Sequence, residues 1–236
     1  MAINKESNAY TFIFSIAMVV VVGAVLSSLS MGLKPMQDEN KATKKKMDIL
    51  SAVGIESSRD NAAEKYDKHI VETYVISAQG KVLKDEVAFD VDVQKQIRDK
   101  TIASEDRLFP VFIADLEGTK KYVLPVVGKG LWGPIWGYVA IGEDMETIVG
   151  ASFDHKSETP GLGAEINQDD FQDRYKGAKI EKDGRFASVA VVKDGTGSTD
   201  PQRVDGITGG TITSKGVEEM MNRTLRVYQS YFSSKK

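Results

Sequence analysis

Hydrophobic positions change character along this chain. Between residues 10 and 33 they are almost unbroken, and the run TFIFSIAMVVVVGAVLSSLSMG carries no charge. About 22 residues at a rise of about 1.5 Å span roughly 33 Å, enough for the hydrocarbon core of a bilayer. A cleaved secretory signal has a shorter apolar region, about 7–15 residues, ahead of a small-residue site. Ser27, Ser28, Leu29 and Ser30 imitate such a site, but the length of the run favours a retained anchor. One such segment predicts one span, with nearly all the mass on one side of the membrane.

After Pro35 the pattern becomes polar, with apolar positions at Met47, Ile49, Leu50 and Val53. That spacing predicts a helical stalk continuing the span, with Gly54 as its stop. Further on, short β-like runs dominate. Residues 71–78 and 81–89 flank a Gln79-Gly80 turn, 110–128 read as a hairpin closing near Gly118, and 137–156 read as two more strands. Residues 186–195 predict another strand. Helices are expected over 169–175 and 213–233, the latter with a stripe of Val217, Met220, Met221, Leu225, Tyr228, Tyr231 and Phe232. The expected class is α+β: a single N-terminal transmembrane helix, then a mixed sheet-and-helix domain. The divisions are 1–9 before the span, 10–33 for the span, 34–55 for the stalk and 56–236 for the domain.

Composition narrows the function classes. Net charge is −3 with a pI of about 5.6, and acidic and basic residues are interspersed. This excludes the basic footprint of a nucleic-acid binder. There is no Cys, so disulfides and thiolate metal sites are excluded. With two histidines, His69 and His155, a His-based metal site is not expected. His69 is expected at the surface. Charge also bears on orientation: Lys5 is balanced by Glu6 before the span, whereas Lys34, Lys41, Lys44, Lys45 and Lys46 follow it. Counted alone these place the domain in the cytoplasm, although long domains largely escape the rule.

Three glycine-rich stretches carry candidate chemistry. GKGLWGPIWGY (128–138) holds four Gly, one Pro and both Trp residues of the chain. Glycines let a flat ligand approach the backbone, and indoles offer stacking surface; taken alone, the stretch reads first as a tight loop with core tryptophans. HKSETPGLG (155–163) follows a strand and offers Glu158 and Thr159 as hydrogen-bonding groups. DGITGGTITSKGVEEM (205–220) places Gly206, Gly209 and Gly210 before Thr211, Thr213 and Ser214, at the start of a helix. Unpaired amides and the helix dipole make such an end an anion site; the blander reading is a Ser/Thr cap after a glycine loop. The Walker Lys-Ser/Thr pattern is missing, so a nucleotide P-loop is not supported.

The three stretches, in this order, resemble the FMN-binding domain family. Its pattern Asp-x-x-Ser/Thr-Gly-Ala-Thr-x-Ser/Thr reads here Asp205-Gly206-Ile207-Thr208-Gly209-Gly210-Thr211-Ile212-Thr213, with Gly210 in place of Ala. HKSETPGLG and GLWGPIWGY look like the family's two other signatures, so the flavin part is expected over about 128–236. The span, the stalk and residues 71–129 ahead of it resemble the flavin-carrying subunits of Na+-translocating NADH:quinone oxidoreductases. Those of Rnf electron-transport complexes share the flavin domain and tend to be shorter before it.

The resemblance implies one FMN per chain, joined through its phosphate to Thr213 by a flavin transferase that uses FAD and Mg2+. It implies an electron-transfer subunit, without independent catalytic activity, among other subunits in a bacterial inner membrane, with the domain on the periplasmic side. Thr208, Thr211, Ser214, Lys215, Gly209 and Gly210 become candidates to hold the phosphate. Asp205 would serve the transferase or the loop geometry. Leu131, Trp132 and Leu162 would flank the ring, with Glu158 and Thr159 at its polar edge. A flavin-free, membrane-anchored sensor or binding module fits span and strands equally well, but has no use for DGITGGTIT.

Overall fold

In the computed structural model, which describes residues 7–235, the first element is helix α1, Asn8–Ala52, with Pro35 inside it. Lys5 and Glu6 lie outside the described residues. Among the described residues, α1 is the one helix long and apolar enough to cross a membrane. It ends where Gly54 takes a left-handed φ of 83°, the usual way to stop a helix. The chain divides into two compact units, residues 1–44 and 45–236. The last turns of α1 belong to the second unit, where Ile49, Leu50 and Ala52 are fully buried.

Within that unit follow α2 (Ala62–His69), β1 (Ile70–Ser77), β2 (Val82–Leu83) and α3 (Val93–Arg98). Then come β3 (Leu108–Leu116), β4 (Thr119–Lys129), β5 (Pro134–Ile141) and β6 (Ile148–His155). These strands form an antiparallel sheet in the order β2-β1-β3-β4-β5-β6. The β3–β4 hairpin closes through Glu117 and Gly118, both at positive φ, as a two-residue turn matching the strand twist requires. The expected strand over 81–89 shrinks to β2, because the chain turns through a 3-10 turn at Ala88–Asp90. His69, expected at the surface, is half-buried at the end of α2.

The remaining elements are α4 (Asp169–Gln172), continued by a 3-10 turn, then β7 (Glu181–Lys182), β8 (Arg185–Phe186), β9 (Ala190–Val192), β10 (Arg203–Asp205) and α5 (Thr211–Ser233). The single strand expected over 186–195 is broken. Its apolar run is genuine, since Val189 and Val191 are buried. It is divided between β8, paired with β7, and β9, which pairs in parallel with β10 away from the large sheet.

Both faces of the middle of the large sheet are covered, which is why β3, β4 and β5 carry continuous buried runs rather than alternating ones. On one face Phe109 meets Tyr228 of α5, and Tyr122 meets Phe232. The buried Tyr228 hydroxyl donates to the carbonyl of Pro110 at 3.0 Å. On the other face Phe112 and Tyr138 touch edge to face, and Lys45 Nζ lies 5.9 Å from the Phe112 ring. That ammonium donates to the carbonyl of Phe89 at 2.6 Å. Burial lowers the Lys45 pKa, and Asp92 and Asp90 offset part of the shift. The N-terminal end of α5 lies close to β4 because position 216 is glycine: a side chain there would strike the Lys129 carbonyl.

Candidate functional site

Helix α5 begins at Thr211, two residues before the expected 213, and Gly210 occupies its N-cap position without a side-chain cap. The hydroxyl cap of the blander reading is therefore not formed. The first helical bond runs from the Ser214 amide to the Gly210 carbonyl at 2.9 Å. By helix geometry the amides of Thr211, Ile212 and Thr213 have no acceptor inside the helix.

Thr213, at the third helical position, is buried, as is Glu158. Its hydroxyl donates to Glu158 Oε2 at 2.6 Å. The other carboxylate oxygen, Oε1, accepts from the Trp132 amide at 2.8 Å and from the Gly133 amide at 3.2 Å. Burial raises the Glu158 pKa, but the bonds from Thr213, Trp132, Gly133 and Leu131 outweigh it and leave the carboxyl below its usual range. The Glu158 amide donates to His155 Nδ1 at 3.1 Å. His155 thus fixes a turn, and Glu158 faces a hydroxyl and loop amides. Gly130 and Gly163 flank the pair: a Cβ at 130 would come within 2.6 Å of Glu158 Oε1, and one at 163 would strike Thr213 Oγ1.

Beside this pair opens a cleft of about 380 Å3. Leu131, Trp132, Thr159 and Leu162 line it together with Gly209, Gly210, Thr211, Thr213 and Glu158. Gly163 and Ile212 also line it, and neither was among the sequence candidates. Ile212 did carry a signal, as an apolar residue in the first turn of α5 that lies off the stripe beginning at Val217. Gly163 carried none beyond its place in HKSETPGLG. Trp132 is 67% exposed, Ile212 59%, Leu131 46% and Leu162 42%, so four large apolar side chains stand at the rim. The second indole, Trp136, is half-buried in β5 and packs against the core.

Four of the sequence candidates lie elsewhere. Ser214 is buried and its hydroxyl accepts from the Ile207 amide at 3.0 Å. Lys215 pairs with Glu218 at 2.6 Å. Thr208 is exposed and lines a separate cavity with Arg174 and Phe171. Asp205 accepts from the Gly197 amide at 3.2 Å, which makes it a brace of the loop.

Free amides at a helix start, a hydroxyl among them, backbone kept bare by glycines and an exposed apolar rim fit a phosphate joined to a flat ring. Fold and site define an FMN-binding domain: residues 130–226 match the FMN-binding domain family. Among whole proteins, the chain is 31% identical to the NqrC subunit of the Na+-translocating NADH-quinone reductase of Neisseria meningitidis serogroup B, covering 91% of this chain and 88% of that one. The crystal structure of the corresponding subunit from Parabacteroides distasonis superposes with a TM-score of 0.79 at 40% identity, covering 86% of this chain and 98% of that one. That of Shewanella oneidensis NqrC gives 0.69 at 27% identity, over 83% and 97%. The chain belongs to the family of NqrC subunits of Na+-translocating NADH-quinone reductases.

Proposed function

We propose that this chain is an electron-transfer subunit that carries one FMN, esterified through its phosphate to Thr213, within a Na+-translocating NADH-quinone reductase. The observation that carries this reading is the placement of the Thr213 hydroxyl beside the cleft at the start of α5. FMN, when bound, supplies the redox chemistry, and the protein supplies attachment and environment. The amides of Thr211, Ile212 and Thr213, with the Thr211 hydroxyl, would hold the phosphate, whose charge suits a helix N-terminus. Leu131, Trp132, Leu162 and Ile212 would flank the ring, and Thr159 would meet its polar edge. A tether keeps a carrier in place even though its rim is open to partners. α1 would span a bacterial inner membrane with the domain on the periplasmic side, where a transferase using FAD and Mg2+ would load it; the other partners would be the remaining subunits and lipid.

The test is attachment itself. The chain is co-expressed with the transferase, and the tryptic peptide 204–215, cut after Arg203 and Lys215, is fragmented by mass spectrometry. One FMN on Thr213, lost in Thr213→Ala, is expected. FMN mapped to Thr211 or Ser214, or persisting in Thr213→Ala, would overturn the assignment.

A further inference from the structure

Threonine is a poor nucleophile, because its hydroxyl is far from acidic near neutral pH and needs a base beside it. The chain contains several hydroxyls near the cleft, and they are not equivalent. Thr213 alone among Thr208, Thr211, Thr213 and Ser214 donates to a carboxylate in the described residues. We propose that Glu158 is the catalytic base of the chain's own modification, taking the proton from Thr213 Oγ1 as that oxygen is esterified, and so selecting Thr213. The inference rests on the reading of Thr213 as the attachment residue.

The step balances as a phosphoryl-group substitution. Thr213 Oγ1 bonds to the phosphorus of FAD that bears the riboflavin moiety. The pyrophosphate P–O bond breaks, and adenosine monophosphate leaves with its electron pair. The Oγ1 proton passes to Glu158 Oε2, 2.6 Å away. Nothing is oxidised or reduced. Carboxylates fill the same role toward substrate hydroxyls in protein kinases.

The geometry is built for this task. Two loop amides on Oε1 turn the carboxylate so that Oε2 faces Thr213. The bond from Glu158 N to His155 Nδ1 fixes the backbone behind it. Glycine at 130 and 163 leaves the space that carboxylate and hydroxyl occupy. The carboxyl is held in its ionised form, ready to accept. The titratable side chains nearest in sequence to the residues that hold Glu158 are Lys129, Asp154, His155, Lys156, Glu165, Lys215 and Glu218. Of these, His155 is engaged by the Glu158 amide, Glu165 by the Gly161 amide and Lys215 by Glu218.

The experiment follows attachment to the full chain in detergent, with transferase, FAD and Mg2+, by in-gel flavin fluorescence across a pH series. Glu158→Gln keeps the shape and removes the base. We expect it to fold, by circular dichroism, and to gain flavin about 100-fold or more slowly at neutral pH, in the range of general-base effects. Its rate should climb with pH where the wild-type rate is level. A rate within about threefold of wild type, or a slow rate with the wild-type pH profile, would overturn the proposal; the second result would make Glu158 a brace of the loop. Should Glu158→Gln fail to fold, Glu158→Asp decides: a reduced rate with the wild-type profile supports the base, and an undiminished rate overturns it. A wild-type chain that gains no flavin on Thr213 would instead sink the reading beneath the proposal.

Discussion

The guanidinium of Arg174 donates to two successive backbone carbonyls, those of Asp205 at 3.0 Å and Gly206 at 3.2 Å. The same side chain is paired with Asp170 one turn away. The entrance to the glycine loop is therefore clamped from the outside by a residue 31 positions earlier in the chain.

Arg174→Ala should release that clamp. A loss of about 1–2 kcal/mol in urea denaturation is expected, since hydrogen bonds from charged donors contribute on that order. Flavin attachment should slow as well, because Thr213 sits at the end of the freed loop. Arg174→Lys should recover little, since an ammonium cannot reproduce the fork. Denaturation midpoints and in-gel fluorescence check both.

Trp132→Ala should behave differently. The indole is largely exposed, and its contribution to Glu158 runs through the backbone amide, which the variant retains. Stability should change by no more than about 0.5 kcal/mol, as for other surface substitutions. The absorbance spectrum or midpoint potential of the attached flavin should move. An unaltered spectrum and potential would place the indole away from the ring.

Acid should weaken the flavin-free domain through Glu158. Its folded pKa is depressed, so the unfolded chain binds the proton more readily. The stability it adds is complete above the unfolded value of about 4.3 and is lost as pH falls through the folded value. Urea midpoints measured from pH 7 downward should decline below about pH 5 more steeply in the wild type than in Glu158→Gln. Parallel curves would mean that the carboxyl is not stabilised by folding.

Truncation should have two outcomes depending on where it falls. Deleting residues 1–33 removes the apolar run and should give a soluble, folded domain. Deleting residues 1–52 also removes Ile49 and Leu50, both fully buried. Losing a large aliphatic side chain from a core costs about 2–5 kcal/mol, and two such losses approach the whole stability of a typical domain. This product should be unfolded or aggregated by circular dichroism and gel filtration.

Local chemistry made part of this molecule legible. The unbroken run before Pro35, the turn at Gly118 and the stripe of α5 are signals carried by neighbouring residues, and the structure has corresponding elements at each. What escaped depends on partners far along the chain. The apolar segment 186–195 gives no sign that Val191 will pair with Val204 rather than join the large sheet. Glu158 reads as a free carboxylate until the turn at 130–133 and the start of α5 are brought to it. Thr208, Thr211, Thr213 and Ser214 are alike as hydroxyls, and only packing makes them exposed, half-buried, carboxylate-bound and amide-bound in turn.

The closeness of Ala52 to β6 has a further consequence, for the timing of folding. A side chain at Gly150 would strike the Ala52 carbonyl, and Tyr74 of β1 shares its hydroxyl hydrogen bond with Tyr231 of α5. The domain is thus closed by contacts distant in sequence, from residue 52 to residue 150 and from residue 74 to residue 231. Such long loops must be closed before their contacts repay the entropy. During synthesis the apolar face of residues 49–53 must wait for β6, and the sheet face that carries Phe109 and Tyr122 must wait for α5. Helix α1 can therefore form from its own residues, whereas the core it ends in cannot close until β6 and α5 have been made.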